Sequence, residues 1–393
     1  MRALLPEEQE FWEKHKHLIP AQMAEAARKA KLDHFYLANR LKSYLKGKEK
    51  LPTLSAHEDL IWPDPVNIEQ SSSEATAAYK ATHFAYPKVI DLTGGFGIDT
   101  WAFAQQAQKV LHNEPNEILS GVCRANFQKL NFQNIDYSQK DALDLLSQLP
   151  PSEGDTLVYA DPSRRDEKGR RQSLLSQYVP DPSELIRLSL SLHYPLLLKL
   201  SPMDSLPEMM GLWPQLTEIH VVSVKNECKE ILVFLKPNSN QPLKITAAEI
   251  GYNSLPFVFS PEEEAAASML CGALSIYLYD PFVSILKAGP YKLLASAFGL
   301  TRLHPFTHLY TSAEHIDQFP GRQFKVLKAL PASTNQLLNW FPEKKALIVT
   351  RNFPISPEKL YLKLKLQPGG ERFLFALTDH RDQRLFVIAE RIK

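Results

Sequence analysis

Two apolar runs at 218–225 and 230–235 are separated only by Asn226-Glu227-Cys228-Lys229. A parallel crossover takes a dozen or more residues, so these two runs have to pair as an antiparallel hairpin. Five shorter runs precede them, at 89–92, 109–114, 135–140, 156–161 and 194–200, each followed by a stretch with helical spacing. That alternation is how a parallel sheet with covering helices reads. The expectation is an α/β fold whose centre is a Rossmann-like sheet of seven strands, five parallel and the last two an antiparallel hairpin. The six-strand dinucleotide-binding sheet does not end this way.

A chain of 393 residues is too long for one core and implies several folded units. Residues 1–66 read as a helical module, with helices over 9–17 and 20–45 that carry Met23, Ala27, Leu37, Leu41 and Tyr44 at helical spacing. The cluster Ser71-Ser72-Ser73 has the composition of a helix cap. Residues 67–236 hold the sheet. Residues 237–318 read as a helical connector, because Ser260-Pro261-Glu262-Glu263-Glu264 starts a helix expected to run to Leu278. Residues 319–393 form a small α+β unit, with strands at 346–350, 371–377 and 384–389 around a helix at 357–366.

The formal charge of +1 is unevenly spread. Residues 1–50 carry eleven Lys/Arg against seven Asp/Glu, and residues 319–393 carry fourteen against six. Basic ends on an acidic body fit a polyanion such as RNA as partner, and a solvated surface gives similar counts. The N-terminus turns acidic at Glu7-Glu8 before any apolar leader develops, and no apolar run is long enough for a bilayer, so a cytoplasmic location without a membrane partner is expected. Three cysteines without a CxxC pair offer no metal knuckle, and no metal is expected.

The first run leads into Asp91-Leu92-Thr93-Gly94-Gly95-Phe96-Gly97 and then a helix. Glycines let a cofactor lie against the main chain, and the N–H groups at the helix start face its polar parts. The dinucleotide fingerprint needs a third glycine where Thr100 stands. Asp91 would repel a pyrophosphate but suits the cationic end of S-adenosylmethionine. Glu114, ending the second run, is placed to accept from the ribose hydroxyls, and Asp141 with the small Ala142 after the third is placed to take the adenine. Asp91, Thr93, Gly94, Gly95, Gly97, Glu114, Asp141 and Ala142 are the candidate cofactor ligands.

The fourth run ends in Asp161-Pro162-Ser163-Arg164-Arg165 and continues to Arg170-Arg171. Methyl transfer from a sulfonium needs mainly alignment, and an Asp-Pro turn orients a nitrogen acceptor through its oxygens, with Asp161 able to take a proton. Asp161, Pro162, Arg164 and Arg165 are the candidate transfer residues; Asp161 as a plain loop cap is the alternative. The arginine forks suit phosphate, joined by Arg170 and by Lys199 on the fifth run, while a solvated loop balanced by Asp166 and Glu167 explains the same residues. No cysteine follows the Asp-Pro turn, so C5 pyrimidine chemistry has no evident nucleophile.

These motifs resemble the bacterial class I S-adenosylmethionine-dependent methyltransferases with a C-terminal THUMP-like domain, found especially in Bacteroidetes. The likeness rests on 69–76 with Tyr79-Lys80, Asp91 to Gly97, Asn113-Glu114, Asp161 to Arg165, Asn226 to Glu230, Leu286-Lys287-Ala288-Gly289 and Gly369-Gly370. The resemblance implies a donor pocket beside 70–80, with Lys80 and Lys287 joining Arg170 and Lys199 as substrate contacts, and a basic C-terminal unit acting as a THUMP domain does in RNA modification. Most of the chain is covered. Thr93 departs from the E/D-x-G-x-G-x-G turn, and Ser163-Arg164 departs from the N/D-P-P-Y/F turn, removing the aromatic that would stack on a flipped base. The expected activity is methylation of a nitrogen on RNA; a small-molecule or protein acceptor, or a non-catalytic RNA-binding protein on a vestigial fold, are the alternatives.

Overall fold

Six helices precede the first strand in the computed structural model, which describes residues 2–164, 175–333 and 336–392. Helices α1 (Pro6–His15), α2 (Pro20–Lys29) and α3 (His34–Lys50) bury Trp12, Met23, Ala27, Leu37 and Leu41 along their apolar stripes. The helix expected over 20–45 is therefore two. Lys31 adopts a left-handed φ of 59°, and Asp33 caps the next helix by accepting the Tyr36 N–H at 3.0 Å. Short α4 (Pro52–Ser55) and α5 (Pro65–Gln70) lead to α6 (Glu74–His83), which Ser73 caps as the serine cluster suggests.

Chain contacts divide the protein into two compact units, Met1–Thr217 with Ile231–Gln241 and Glu218–Glu230 with Pro242–Lys393. The N-terminal helices thus belong to the same unit as the parallel strands. Asn126 exchanges both amide groups with the Ile61 backbone at 2.8 Å, and a side chain at Gly47 would strike the Trp62 ring 2.2 Å away.

In this first unit, β1 (Lys88–Asp91), α7 (Ile98–Ala104), β2 (Lys109–Asn113), α8 (Glu117–Lys129), β3 (Ile135–Ser138), α9 (Ala142–Ser147) and β4 (Thr156–Ala160) alternate as expected. A two-residue ribbon of β5 (Ser163–Arg164) with β6 (Tyr178–Val179) follows, then α10 (Pro182–Ser191), β7 (Leu196–Leu200) and α11 (Leu206–Leu212). The strands lie in the order β3-β2-β1-β4-β7, all parallel. Val89, Val110, Leu157, Val158 and Leu196 to Leu198 are buried, which is why these strands read as unbroken apolar runs.

The last two strands are β8 (Glu218–Val224) and β9 (Glu227–Leu235). Their turn is only Lys225-Asn226, with φ of 51° and 62°, the paired left-handed conformation that suits a two-residue hairpin. The end of β9 runs antiparallel to β7. All seven expected strands are present.

In the second unit, β8 pairs in parallel with β10 (Lys244–Ile250), which pairs antiparallel with β11 (Phe257–Phe259). Next come α12 (Pro261–Ala266), β12 (Tyr277–Pro281), α13 (Val283–Ala288), α14 (Tyr291–Ala297), β13 (Thr301–Arg302) and β14 (Tyr310–Ser312). The helical connector expected over 237–318 is therefore wrong. The capping box of Ser260 and Glu263 does start a helix, but it stops at Ala266, and Leu278 and Tyr279 are fully buried in β12 between two partner strands. Tertiary pairing overrides helical propensity there.

The chain ends in β15 (Gly321–Pro331), β16 (Lys345–Arg351), α15 (Pro357–Leu364), β17 (Gln367–Thr378) and β18 (Arg384–Arg391). Three of these strands and the helix match expectation; β15 was not foreseen. Seven strands form this sheet in the order β13-β14-β12-β15-β18-β17-β16. One face buries Leu360 of α15 with Ile348, Leu374 and Phe386, and the other packs Leu278, Phe324, Phe375 and Val387.

Candidate functional site

The glycine turn is built around Asp91, which is only 1% exposed. Its carboxylate accepts the Thr100 hydroxyl at 2.6 Å and the Thr93 N–H at 3.1 Å. Burial pushes the carboxyl up to about 7, against those hydrogen bonds. Thr100 also meets Nδ1 of His112 at 2.9 Å, and burial pushes that imidazole down to about 4. Asp91 therefore braces the turn from beneath. The direct pairing with a cationic amino group expected from its strand-end position is corrected: the carboxyl has no surface to offer.

The glycines divide by role. A Cβ at Gly94 would lie 2.2 Å from the His112 ring, and one at Gly97, where φ is 78°, would lie 2.7 Å from Phe127. These two are demanded by packing. Gly95, with φ of 53°, meets nothing closer than the Thr93 carbonyl at 3.9 Å, so its Cβ direction is open. Its N–H donates to Glu114 at 2.9 Å, and the other Glu114 oxygen takes the Asn116 N–H at 2.9 Å. The one glycine facing open space thus sits against the half-buried Glu114 carboxylate.

Asn113, to which no role was expected, ties three strand tips together. Its amide donates to the Leu92 carbonyl at 3.0 Å and the Lys140 carbonyl at 2.9 Å, and its oxygen accepts the Lys140 N–H at 3.0 Å. The ends of β1, β2 and β3 are locked into one edge. Next to Lys140, exposed Asp141 caps α9 by accepting the Leu143 and Asp144 N–H groups at 2.9 and 3.3 Å, and Ala142 is buried.

The tip of β4 joins this edge through Thr93, whose hydroxyl accepts the Asp161 N–H at 2.6 Å. The residue that breaks the glycine pattern is therefore the link between the glycine turn and the Asp161-Pro162 turn. Pro162 is buried behind it. The Asp161 carboxylate pairs with Lys199 of β7, which also donates to Ser72 at 3.2 Å. Behind them Lys80, fully buried, pairs with Asp99 at 3.1 Å, and Asp99 accepts from Ser72 and Tyr159, each at 2.8 Å. Burial alone would raise the Asp99 carboxyl, but Lys80 and Lys199 with the two hydroxyls hold it below the ordinary range. Burial raises Asp161 in spite of Lys199.

The structure thus corrects Lys80, which has no surface for a substrate, and keeps Lys199 at the edge as the counter-ion of Asp161. Arg164 is corrected likewise. It pairs with buried Asp204 and stacks over the Tyr178 ring at 5.1 Å, while Tyr178 donates to the same carboxylate at 2.5 Å. Its guanidinium is used within the fold. Arg165 and Arg170 lie outside the described residues. Lys287 is half-buried on α13 of the second unit. Asp99, Tyr159, Tyr178 and Asp204 gave no local signal, and Ser72 stood out only as part of the serine cluster; their burial beside charges marks them.

Comparison with protein families matches a ferredoxin-like domain over residues 277–320 and a THUMP-like domain over residues 321–391. Among solved structures, the chain is similar to a candidate methyltransferase from Porphyromonas gingivalis W83, with a TM-score of 0.84, 28% identity, and 98% of this chain and 97% of that chain covered. The chain thus has the fold of that candidate methyltransferase and carries a THUMP-like domain at residues 321–391. Weaker neighbours include an rRNA methylase from Streptococcus thermophilus at 15% identity and TM-score 0.30, covering 42% of this chain and 96% of that one. A candidate methyltransferase from Streptococcus mutans solved with S-adenosylhomocysteine stands at 13% and 0.30, covering 45% and 99%. Likeness this weak says nothing about substrate. Comparison with curated proteins found no match. Among the described residues of this methyltransferase, no helix is long and apolar enough to cross a membrane, and no His/Cys/Asp/Glu group is arranged to hold a metal ion.

Proposed function

We propose that this methyltransferase moves the methyl group of S-adenosylmethionine to a nitrogen of an RNA nucleotide at the tip of β4. The single observation that carries the reading is the Thr93 hydroxyl on the Asp161 N–H, which fixes a half-exposed carboxylate beside the glycine turn. The residues present fit the donor: Gly95 leaves the main chain bare, Glu114 is held there by two backbone N–H groups with room to accept ribose hydroxyls, and Asp141 stands on the same edge for the adenine amino group. When bound, the donor supplies an electrophilic methyl on a sulfonium.

The chain's own part is alignment and charge. Asp161 accepts an N–H of the acceptor and turns its lone pair toward the methyl, and Lys199 compensates the carboxylate. RNA as acceptor is supported by the THUMP-like domain and by its exposed cations. A groove of about 360 Å³ in that domain is lined by Phe353, Ile355, Leu360 and Phe386, with exposed Lys363 and Arg384 at its rim. The partly buried Phe353 and the cationic rim suit a single strand, in which bases stack and phosphates pair.

Mass spectrometry of modified nucleosides in total RNA from cells with and without the protein tests the reading; one methylated nucleoside should vanish. Asp161→Asn should lower transfer to RNA from the deficient cells about 10²–10⁴-fold with affinity for S-adenosylhomocysteine unchanged. Identical nucleoside profiles, or full turnover by the variant, would contradict it.

A further inference from the structure

Three charged groups of the first unit meet at one hydroxyl. A serine hydroxyl has one proton to give and two lone pairs to share. Ser72 gives its proton to Asp99 at 2.8 Å and accepts from the ammonium groups of Lys80 at 3.1 Å and Lys199 at 3.2 Å. Its hydrogen-bonding capacity is used up. Ser72, Lys80 and Asp99 are 5%, 0% and 8% exposed, and Tyr159, also buried, donates to the same Asp99 oxygen as Ser72 while Lys80 pairs with the other. Burying two ammonium groups and a carboxylate is costly unless each is paired. The cluster meets that condition and opens outward where Lys199 pairs with Asp161, whose side chain is 30% exposed.

Building on the transfer role proposed for Asp161, we infer that Ser72, backed by the Lys80–Asp99 pair, is a positioning residue that aims the Lys199 ammonium at Asp161 and so sets the charge and direction of that carboxylate. Among the described residues, the charged groups facing Asp161 are Lys199 from β7, Lys80 from α6, Asp99 from α7 and Asp91 from β1. Lys199 is the stronger of the two favourable ones. If it swings away, Asp99 and burial remain, and both work against ionisation. The carboxylate is the working form, so activity is lost as pH falls through its pKa. Without Ser72 that loss comes at higher pH.

The test uses the full-length protein with ¹³Cγ-labelled aspartate, the Asp161 signal being the one missing from Asp161→Asn. In Ser72→Ala the Asp161 titration and the acidic limb of kcat/KM, measured on total RNA from cells lacking the protein, should both move up by about one pH unit. Turnover should fall while binding of S-adenosylhomocysteine stays within about twofold. Lys199→Gln should give the same upward move, and adding Ser72→Ala to it should add nothing; this pair decides the matter if Ser72→Ala alone does not fold. An unmoved Asp161 titration, an additive double variant, or a loss of cofactor affinity that matches the loss of rate overturns the inference. Should wild-type protein methylate no RNA, the proposed function fails, and the titrations still decide the role of Ser72.

Discussion

Each compact unit buries an aspartate among cations, and the two arrangements do different things. In the second unit, Asp280 is fully buried; one oxygen takes Arg322 and the other takes Arg351 at 2.9 Å. Both arginines are consumed by the fold. In the first, Asp161 pairs with Lys199 and keeps part of its carboxylate exposed. A buried ion cluster is framework where the carboxylate is covered and both its oxygens are filled, and it becomes a candidate site where the carboxylate itself reaches the surface. The same contrast discounts part of the basic count at the C-terminus. Arg322 and Arg351 serve Asp280, Arg372 donates to the Trp340 carbonyl at 2.7 Å, and Phe319 and Phe324 are core. Lys325, Lys328, Lys363 and Arg384 remain exposed for a polyanion.

The contrast can be broken most forcefully at Asp280. Asp280→Ala leaves two partly buried arginines without their counter-charge, and unfolding in urea should show a loss of about 3–5 kcal/mol. Calorimetry should find binding of S-adenosylhomocysteine unaltered. Stability equal to wild type would remove Asp280 from the framework.

A smaller effect sharpens the first unit. Asp91 has its pKa raised by burial to about 7, so its contribution to stability is fully present below the ordinary carboxylate range and is lost as pH rises to 7. His112 has its pKa lowered by burial to about 4, so its contribution is lost as pH falls from its ordinary value toward 4. The two slopes oppose each other, each on the order of 3 kcal/mol at full extent. Wild-type stability from these groups should therefore vary little between pH 4 and pH 7. Asp91→Asn should unmask the histidine, and its denaturation midpoint should fall with acid more steeply than wild type; parallel curves would show that the carboxyl is not buried in solution.

The seven expected strands were legible because length and period leave little choice once a hairpin ends the series, whereas β10 and β11, which bring the sheet to nine strands among the described residues, were not. That Glu114 and Asp141 stand at strand ends on one edge was legible because each closes an apolar run. Asn113 was not, since its meaning lies in joining three tips that are distant in sequence. Arg164 misled for the same reason: its partner Asp204 lies forty residues downstream, and no local pattern announces the pair. Asp91 misled because strand-end position says nothing about which way a side chain turns, and Thr100 draws it inward. The segment 237–318 misread because a capping box and an alanine run start a helix in sequence, while burial of Leu278 and Tyr279 ends the matter in favour of a strand.

The donor edge at Gly95 and Glu114 is the part of the molecule most open to direct measurement. Calorimetric titration of S-adenosylhomocysteine into wild-type protein and Glu114→Gln reads it directly. Wild type should bind one equivalent, and the variant should bind at least about tenfold more weakly, the cost of a lost charge-assisted pair of hydrogen bonds. Equal affinity in the two proteins, or no binding by either, would contradict the claim that this carboxylate and this bare stretch of backbone hold the methyl donor.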